Sequence, residues 1–296
     1  MKRATIFLSL LSLMTGGLLA QNSYTFASID YPSAVLTNAY EISDTGVIVG
    51  SFRLPGKVQR AFLLRHGNFT ELPTPDPDAG LTQARGLNDR GQIVGRFFGN
   101  SDSSEHGFLL SSGSGTRLDF PGAAASDAFD VNNLGSIVGL LADGSGLLHG
   151  WIRKAGTYAR IDVPGALDTV AFAINDLGQI VGGWDTAPNT LLGHSFLLDH
   201  GAFTSYDVSA SIGGGSQFNR INDAGDIIGT FQDNATGALR GFLLQGGIKG
   251  QFVELDYPAA TETIPWGINN AGMIVGSYVD ADGFRHGFLA TPSRAL

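Results

Sequence analysis

The sequence predicts an all-β protein, a six-bladed β-propeller of four-stranded antiparallel blades, closed by the N-terminal strand pairing with the last blade. Three observations predict it. One signature recurs six times along the chain. Each copy holds four short runs of β-branched and aromatic residues bounded by Gly, Asn, Asp or Pro. The last copy lacks a fourth run, and an unattached one opens the chain.

The signature is a branched apolar residue, then Asn-Asp-x-Gly, then x-Ile-Val-Gly. Its copies occupy 42–50, 87–95, 131–139, 174–182, 221–229 and 268–276. The turn glycines step by 45, 44, 43, 47 and 47 residues. A period of roughly 40–50 residues suits a propeller blade. A parallel β-helix needs a shorter repeat, and no long run shows the 3.6-residue periodicity of a helical solenoid.

In the fourth copy the strands read Ala171 to Asn175, Gln179 to Trp184, His194 to Asp199 and Phe203 to Val208. Asn-Asp-x-Gly joins strands 1 and 2 as a tight turn, with Gly in the left-handed position. Asp-x-Pro ends strand 4 at Asp30, Asp119, Asp162 and Asp256, since Pro offers no N–H to a ladder. The final copy stops after its third strand, His286 to Leu289. Tyr24 to Asp30 is a strand 4 without a copy of its own. Their pairing would leave no open edge.

Residues 1–20 read as a signal peptide: Lys2 and Arg3 precede a mostly apolar stretch ending in Leu18-Leu19-Ala20. The mature domain is then 21–296. The expected location is secreted, extracellular or periplasmic, with no transmembrane segment after cleavage. Formal net charge is −9, and the leader carries two of the basic residues, so the mature chain is more acidic still. Such a surface repels phosphate backbones and excludes nucleic acid as a natural partner. With no cysteine there are no disulfides, thiolate nucleophiles or Cys-based metal sites.

Strand order in a meander places the 1–2 and 3–4 turns at one end and the 2–3 and 4–1 connections at the other. Sequence varies most in the second set, so a ligand is expected on that face. Six equivalent positions there carry a basic or imidazole group: Arg60, His106, His149, His194, Arg240 and His286. They read either as a ligand-attracting ring or as a hydrogen bond repeated with the blade. A ring of hydroxyls, Thr37, Thr82, Ser126, Thr169, Ser216 and Thr263, has the same two readings. Phe52, Phe97, Leu141, Trp184, Phe231 and Tyr278 read as interblade packing. Tyr40, Phe129, Phe172 and Trp266 form a second aromatic series, broken by Arg85 and Asn219.

Residues that break the repeat are the better functional candidates. Glu41, Asp130 and Arg220 share one position held elsewhere by Gly86, Ala173 and Gly267. With Asp127, Asp168 and Glu262 they complete the charged candidates at the channel mouth. No nucleophile elbow, P-loop, dinucleotide fingerprint or His-Glu-x-x-His occurs. No catalytic residue, metal site or cofactor is therefore assigned.

Ile174 to Gly182, Ile268 to Gly276, and the His-Gly-Phe runs at His106 and His286 resemble the HAF-repeat family of probable extracellular proteins. The resemblance covers essentially all of 24–290. It implies secretion and repetition, and carries no catalytic residues. The leading expectation is a secreted, non-enzymatic binding or scaffold propeller for an extracellular ligand, a carbohydrate or a protein. The alternative is an extracellular carbohydrate-active enzyme, a glycoside hydrolase or lyase, with carboxylates at the channel mouth.

Overall fold

The computed structural model describes residues 24–187, 193–209 and 211–293; the leader read at 1–20 lies outside them. Every regular element within them is a strand. β1 (Tyr24–Ile29) precedes β2 (Leu36–Ile42), β3 (Ile48–Arg53), β4 (Arg60–Arg65) and β5 (Asn68–Glu71). Next come β6 (Ala79–Leu87), β7 (Ile93–Gly99), β8 (Glu105–Ser111) and β9 (Ser114–Arg117). These are followed by β10 (Ala125–Val131), β11 (Ile137–Ala142), β12 (Leu148–Lys154) and β13 (Thr157–Ile161). The next four are β14 (Asp168–Ile174), β15 (Ile180–Asp185), β16 (His194–Asp199) and β17 (Ala202–Tyr206). β18 (Ser211–Ile221), β19 (Ile227–Asp233), β20 (Leu239–Gln245) and β21 (Gln251–Leu255) lead to β22 (Glu262–Ile268), β23 (Ile274–Val279) and β24 (Arg285–Pro292).

The fold is an all-β propeller of antiparallel meanders. Four of them, β6–β9, β10–β13, β14–β17 and β18–β21, are separate four-stranded sheets. The remaining strands form one eight-stranded sheet, where the sequence led us to expect two separate ones. In it β2-β3-β4-β5 meets β22-β23-β24 through a single parallel bridge, Leu36 to Arg285, and β1 pairs on the other side of β24. The cause is local. β1 runs antiparallel to β24 from Tyr24↔Pro292 to Ile29↔Gly287, and the short connection after Asp30 then starts β2 beside the same strand.

Between neighbouring meanders lies the core. Val49 and Ala61, for example, pack against Ala84, Phe97 and Phe108 of the next sheet. The first strand of each meander faces the axis, and each carries a β-bulge at its middle: Ala39/Glu41, Ala84/Gly86, Ala128/Asp130, Ala171/Ala173, Phe218/Arg220 and Pro265/Gly267. A bulge turns two successive side chains toward one side instead of alternating them. Residues such as Tyr40 and Glu41 therefore both line the axial channel.

Candidate functional site

The turns between first and second strands interlock around the axis. Each turn's second residue accepts, through its side chain, the backbone N–H of the equivalent residue one turn earlier. Asp44 donates to Asp89 (3.0 Å), Asp89 to Asn133 (2.9 Å), Asn133 to Asp176 (2.7 Å), Asp176 to Asp223 (2.8 Å), Asp223 to Asn270 (2.9 Å) and Asn270 back to Asp44 (2.8 Å). Asn133 and Asn270 also donate their amides to the carboxylates on either side. A second ring lies beneath. Asn88, Asn132, Asn175, Asn222 and Asn269 each donate an amide N–H to the carbonyl of the next turn. Where the sixth Asn would stand is Ser43, whose hydroxyl instead accepts from Val47 of its own turn.

Inside these rings is a small open cavity of about 80 Å³. Its floor is the trio that breaks the repeat. Arg220 Nε lies 2.6 Å from Glu41 Oε2, and Arg220 Nη1 2.9 Å from Asp130 Oδ1. All three are buried. Glu41 also accepts from Ile42 N–H, and Asp130 from Val131 and Ile174 N–H. Burial pushes the Glu41 carboxyl up to about 8 despite the opposing pull of Arg220, with Asp130 adding to the rise. For Arg220 burial works against the charge, but Asp130 and Glu41 outweigh it and raise its pKa.

Deeper in the channel Tyr40, Arg85, Phe129, Phe172, Asn219, Arg220 and Trp266 surround a narrower space. The Arg85 guanidinium sits 4.8 Å from the Tyr40 ring centre and 5.3 Å from that of Phe129, a cation–π clamp. Asp127 lies fully buried, with Arg96 Nη1 at 3.8 Å. Burial lifts its carboxyl to about 6, against the pull of Arg85 and Arg96. Arg96 in turn is paired with Glu105.

At the opposite, loop end a cavity of about 210 Å³ opens over β14, lined from β11 and β12 across to β18. Leu140, Leu148, Val170 and Phe172 give it apolar walls, and Trp184 stands half-buried on one side. Asp168, Asp185, Ser216 and Gln217 supply polar groups, and no Lys or Arg is among the lining residues. Asp168 and Asp185 are directly opposite in the β14–β15 register. Each accepts a backbone N–H, Asp168 Oδ1 from Leu148 and Asp185 Oδ1 from Ala187, both at 2.8 Å.

Glu41, Asp130 and Arg220 do converge, but on the cavity at the turn end rather than the loop end expected for them. Trp266 lines the mid-channel space, its Nε1 donating to Ser277. Of the remaining carboxylates Asp168 reaches the loop-end cavity, whereas Glu262 pairs with Arg285 at 3.4 Å. The imidazoles are clasps. His106, His149, His194 and His286 face Asp119, Asp162, Asp207 and Asp30 through Nδ1, with Arg240 on Asp256 in the same manner. The hydroxyl ring is likewise internal: Thr37, Ser126, Thr169 and Thr263 accept the backbone N–H of Tyr31, Phe120, Val163 and Tyr257.

Trp184, Gly183 and Gln217 escaped the sequence reading as site residues. Trp184 packs against the core between β10–β13 and β14–β17, as expected of an interblade aromatic, yet it is half-buried where Phe52, Phe97, Leu141, Phe231 and Tyr278 are buried. Gly183 stands where other copies have Ser51, Arg96, Leu140, Thr230 and Ser277. The logic that singled out Glu41 would have found it.

No protein-family profile and no curated protein sequence matches the chain. Solved propellers do resemble it in fold. TolB from Acinetobacter baumannii aligns with TM-score 0.58 at 15% identity, covering 84% of this chain and 64% of that one. A gluconolactonase from Xanthomonas campestris gives 0.55 at 12%, covering 94% and 93%. The Aleuria aurantia lectin, solved with Fucα1-6GlcNAc, gives 0.52 at 10%, covering 91% and 99%.

Proposed function

We propose that this chain is a secreted, six-bladed binding propeller of the HAF-repeat type, which holds a small ring-shaped ligand, a saccharide unit, in the loop-end cavity. The fused eight-stranded sheet counts as two blades, because one bridge joins two complete meanders. The observation that carries the ligand reading is the cavity over β14. It combines apolar walls and an exposed flank of Trp184 with carboxylate, amide and hydroxyl groups. That is the make-up of a small-molecule site, and an aromatic flank beside hydrogen-bonding groups suits the two-sided polarity of a sugar ring. Asp168 and Asp185, with no basic lining residue, disfavour an anionic ligand. The fold shared with a fucoside-binding lectin is compatible with this reading.

Of the carboxylates of the enzyme alternative, Glu262 pairs with Arg285 and Asp168 accepts the Leu148 N–H. Glu41 and Asp130 are held by one guanidinium and by backbone N–H groups, so neither is poised toward a substrate. Titrating the mature protein with neutral, amino and uronic methyl glycosides, read by Trp fluorescence and calorimetry, tests the proposal. The neutral or amino sugar should bind and the uronic acid should not. A preference for the uronic acid, or no binding by any, would reject it.

A further inference from the structure

The sequence places two glycines side by side at 182 and 183, and their surroundings differ. A Cβ on Gly182 would lie 2.0 Å from the Val170 carbonyl oxygen and 2.7 Å from the Phe196 ring. The backbone of β14 and the core leave no room, and every copy has Gly there. A Cβ on Gly183 would meet its nearest neighbours, the His194 carbonyl, the Phe172 ring and Gln217 Cγ, at 3.6, 3.8 and 4.0 Å. Those are ordinary contacts, and its φ is not in the left-handed region.

No feature of the fold demands glycine at 183, and Gly in mid-strand is unfavourable for its own backbone. The equivalent side chains elsewhere are occupied with neighbours. Arg96 binds Gln83 and Glu105, Ser51 accepts from Gln59, Thr230 from Asn219 and Ser277 from Trp266. Leu140 is itself a wall of the loop-end cavity. At 183 the missing side chain leaves open the space beside Phe172 and Gln217.

We infer that Gly183 is the specificity-determining residue of the cavity: by carrying no side chain it admits one ring of the ligand between Phe172 and Gln217. This rests on the binding reading above. It also ties the site to one position in the ring, so the chain holds one ligand rather than one per repeat.

The test compares Gly183→Ala, Gly183→Leu and Gly182→Ala with the wild type. Melting temperature, acrylamide quenching of Trp fluorescence, and affinity for methyl glycosides of glucose, galactose, mannose, fucose and N-acetylglucosamine are measured. Both Gly183 variants should melt within a few degrees of the wild type or above it, whereas Gly182→Ala should lose stability sharply. Gly183→Leu should weaken the bound glycoside by at least about 30-fold and Gly183→Ala by only a few-fold, while Trp184, whose side chain lies on the other face of β15, stays as open to acrylamide as in the wild type. A collapse of Gly183→Leu like that of Gly182→Ala would overturn the inference, because glycine would then be a demand of the fold. Unchanged affinity in a stable Gly183→Leu would overturn it while leaving the binding reading intact. Failure of the wild type to bind any of the five would remove both.

Discussion

The two ends of the channel are built from the same repeat and use it in opposite ways. At the turn end every copy keeps its Asp or Asn, and the side chains hand hydrogen bonds around a closed circle. At the loop end the copies diverge. Over β14 they leave an open cavity beside two opposed carboxylates and a glycine that the backbone does not need. Regularity serves cohesion, because a bond repeated in every copy contributes its increment each time. Local departure serves recognition, because a ligand needs something that one copy has and the others lack.

The largest expected effect tests the cohesion side. Deleting Tyr24 to Tyr31 removes every pair that β1 makes with β24 and leaves that sheet with an open edge. No cooperative unfolding transition should remain by calorimetry. Deleting a loop-end stretch of similar length, such as Asp233 to Ala238, should leave a folded protein.

Next in size is the charged trio. Arg220→Met would leave Glu41 and Asp130 buried without their cation, a loss of about 3–5 kcal/mol in urea unfolding. Adding Glu41→Gln and Asp130→Asn should restore most of it. Failure of the triple variant to recover would mean that Arg220 holds the fold by other means, such as its bond to the Arg85 carbonyl.

The pH profile should also belong to the channel. Glu41 titrates near 8 when folded against 4.5 ordinarily, and Asp127 near 6 against 3.8. The folded state therefore binds these protons more tightly than the unfolded chain. Stability is fullest below the ordinary values and is lost as pH rises through 6 and then 8. In the acid direction the carboxylates of Asp102 and Asp143, held low by hydrogen bonds from Ser104 and Ser145, lose their contribution as they protonate. Melting temperature should peak near pH 5 and fall by on the order of 5 °C by pH 8. Glu41→Gln should flatten the upper half of that fall.

A smaller, positive effect is expected at Ser43. Asn there would supply the missing member of the amide ring, donating to the Asn88 carbonyl as its counterparts do. The gain should be about 1 kcal/mol. A loss would show that the turn of Ser43 differs from the others.

Much of this architecture was legible in the sequence. The orphan strand at Tyr24 and the missing one after Leu289 pointed to the β1–β24 pairing, because an unpaired edge is costly. The misfit residues Glu41, Asp130 and Arg220 were visible as departures from the repeat, and they do meet. Their end of the channel follows from strand position, since each stands one residue before the strand's last, beside the 1–2 turn. What was not legible is that neighbours such as Tyr40 and Glu41 both face the channel, because counting alternate residues assumes an unbroken pleat and the bulge in each inner strand resets that count. The repeat already separates Gly182, present in every copy, from Gly183, present in one; the physical reason, the approach of Val170 and Phe196 to the first alone, is visible only in the structure.

One calorimetric experiment bears on the division between the ends most directly. The methyl glycoside that binds is titrated into the wild type, Trp184→Ala and Asp223→Asn. One site per chain, abolished in Trp184→Ala and retained in Asp223→Asn, is the predicted result. Heat lost in Asp223→Asn and kept in Trp184→Ala, or several equivalent sites per chain, would contradict it.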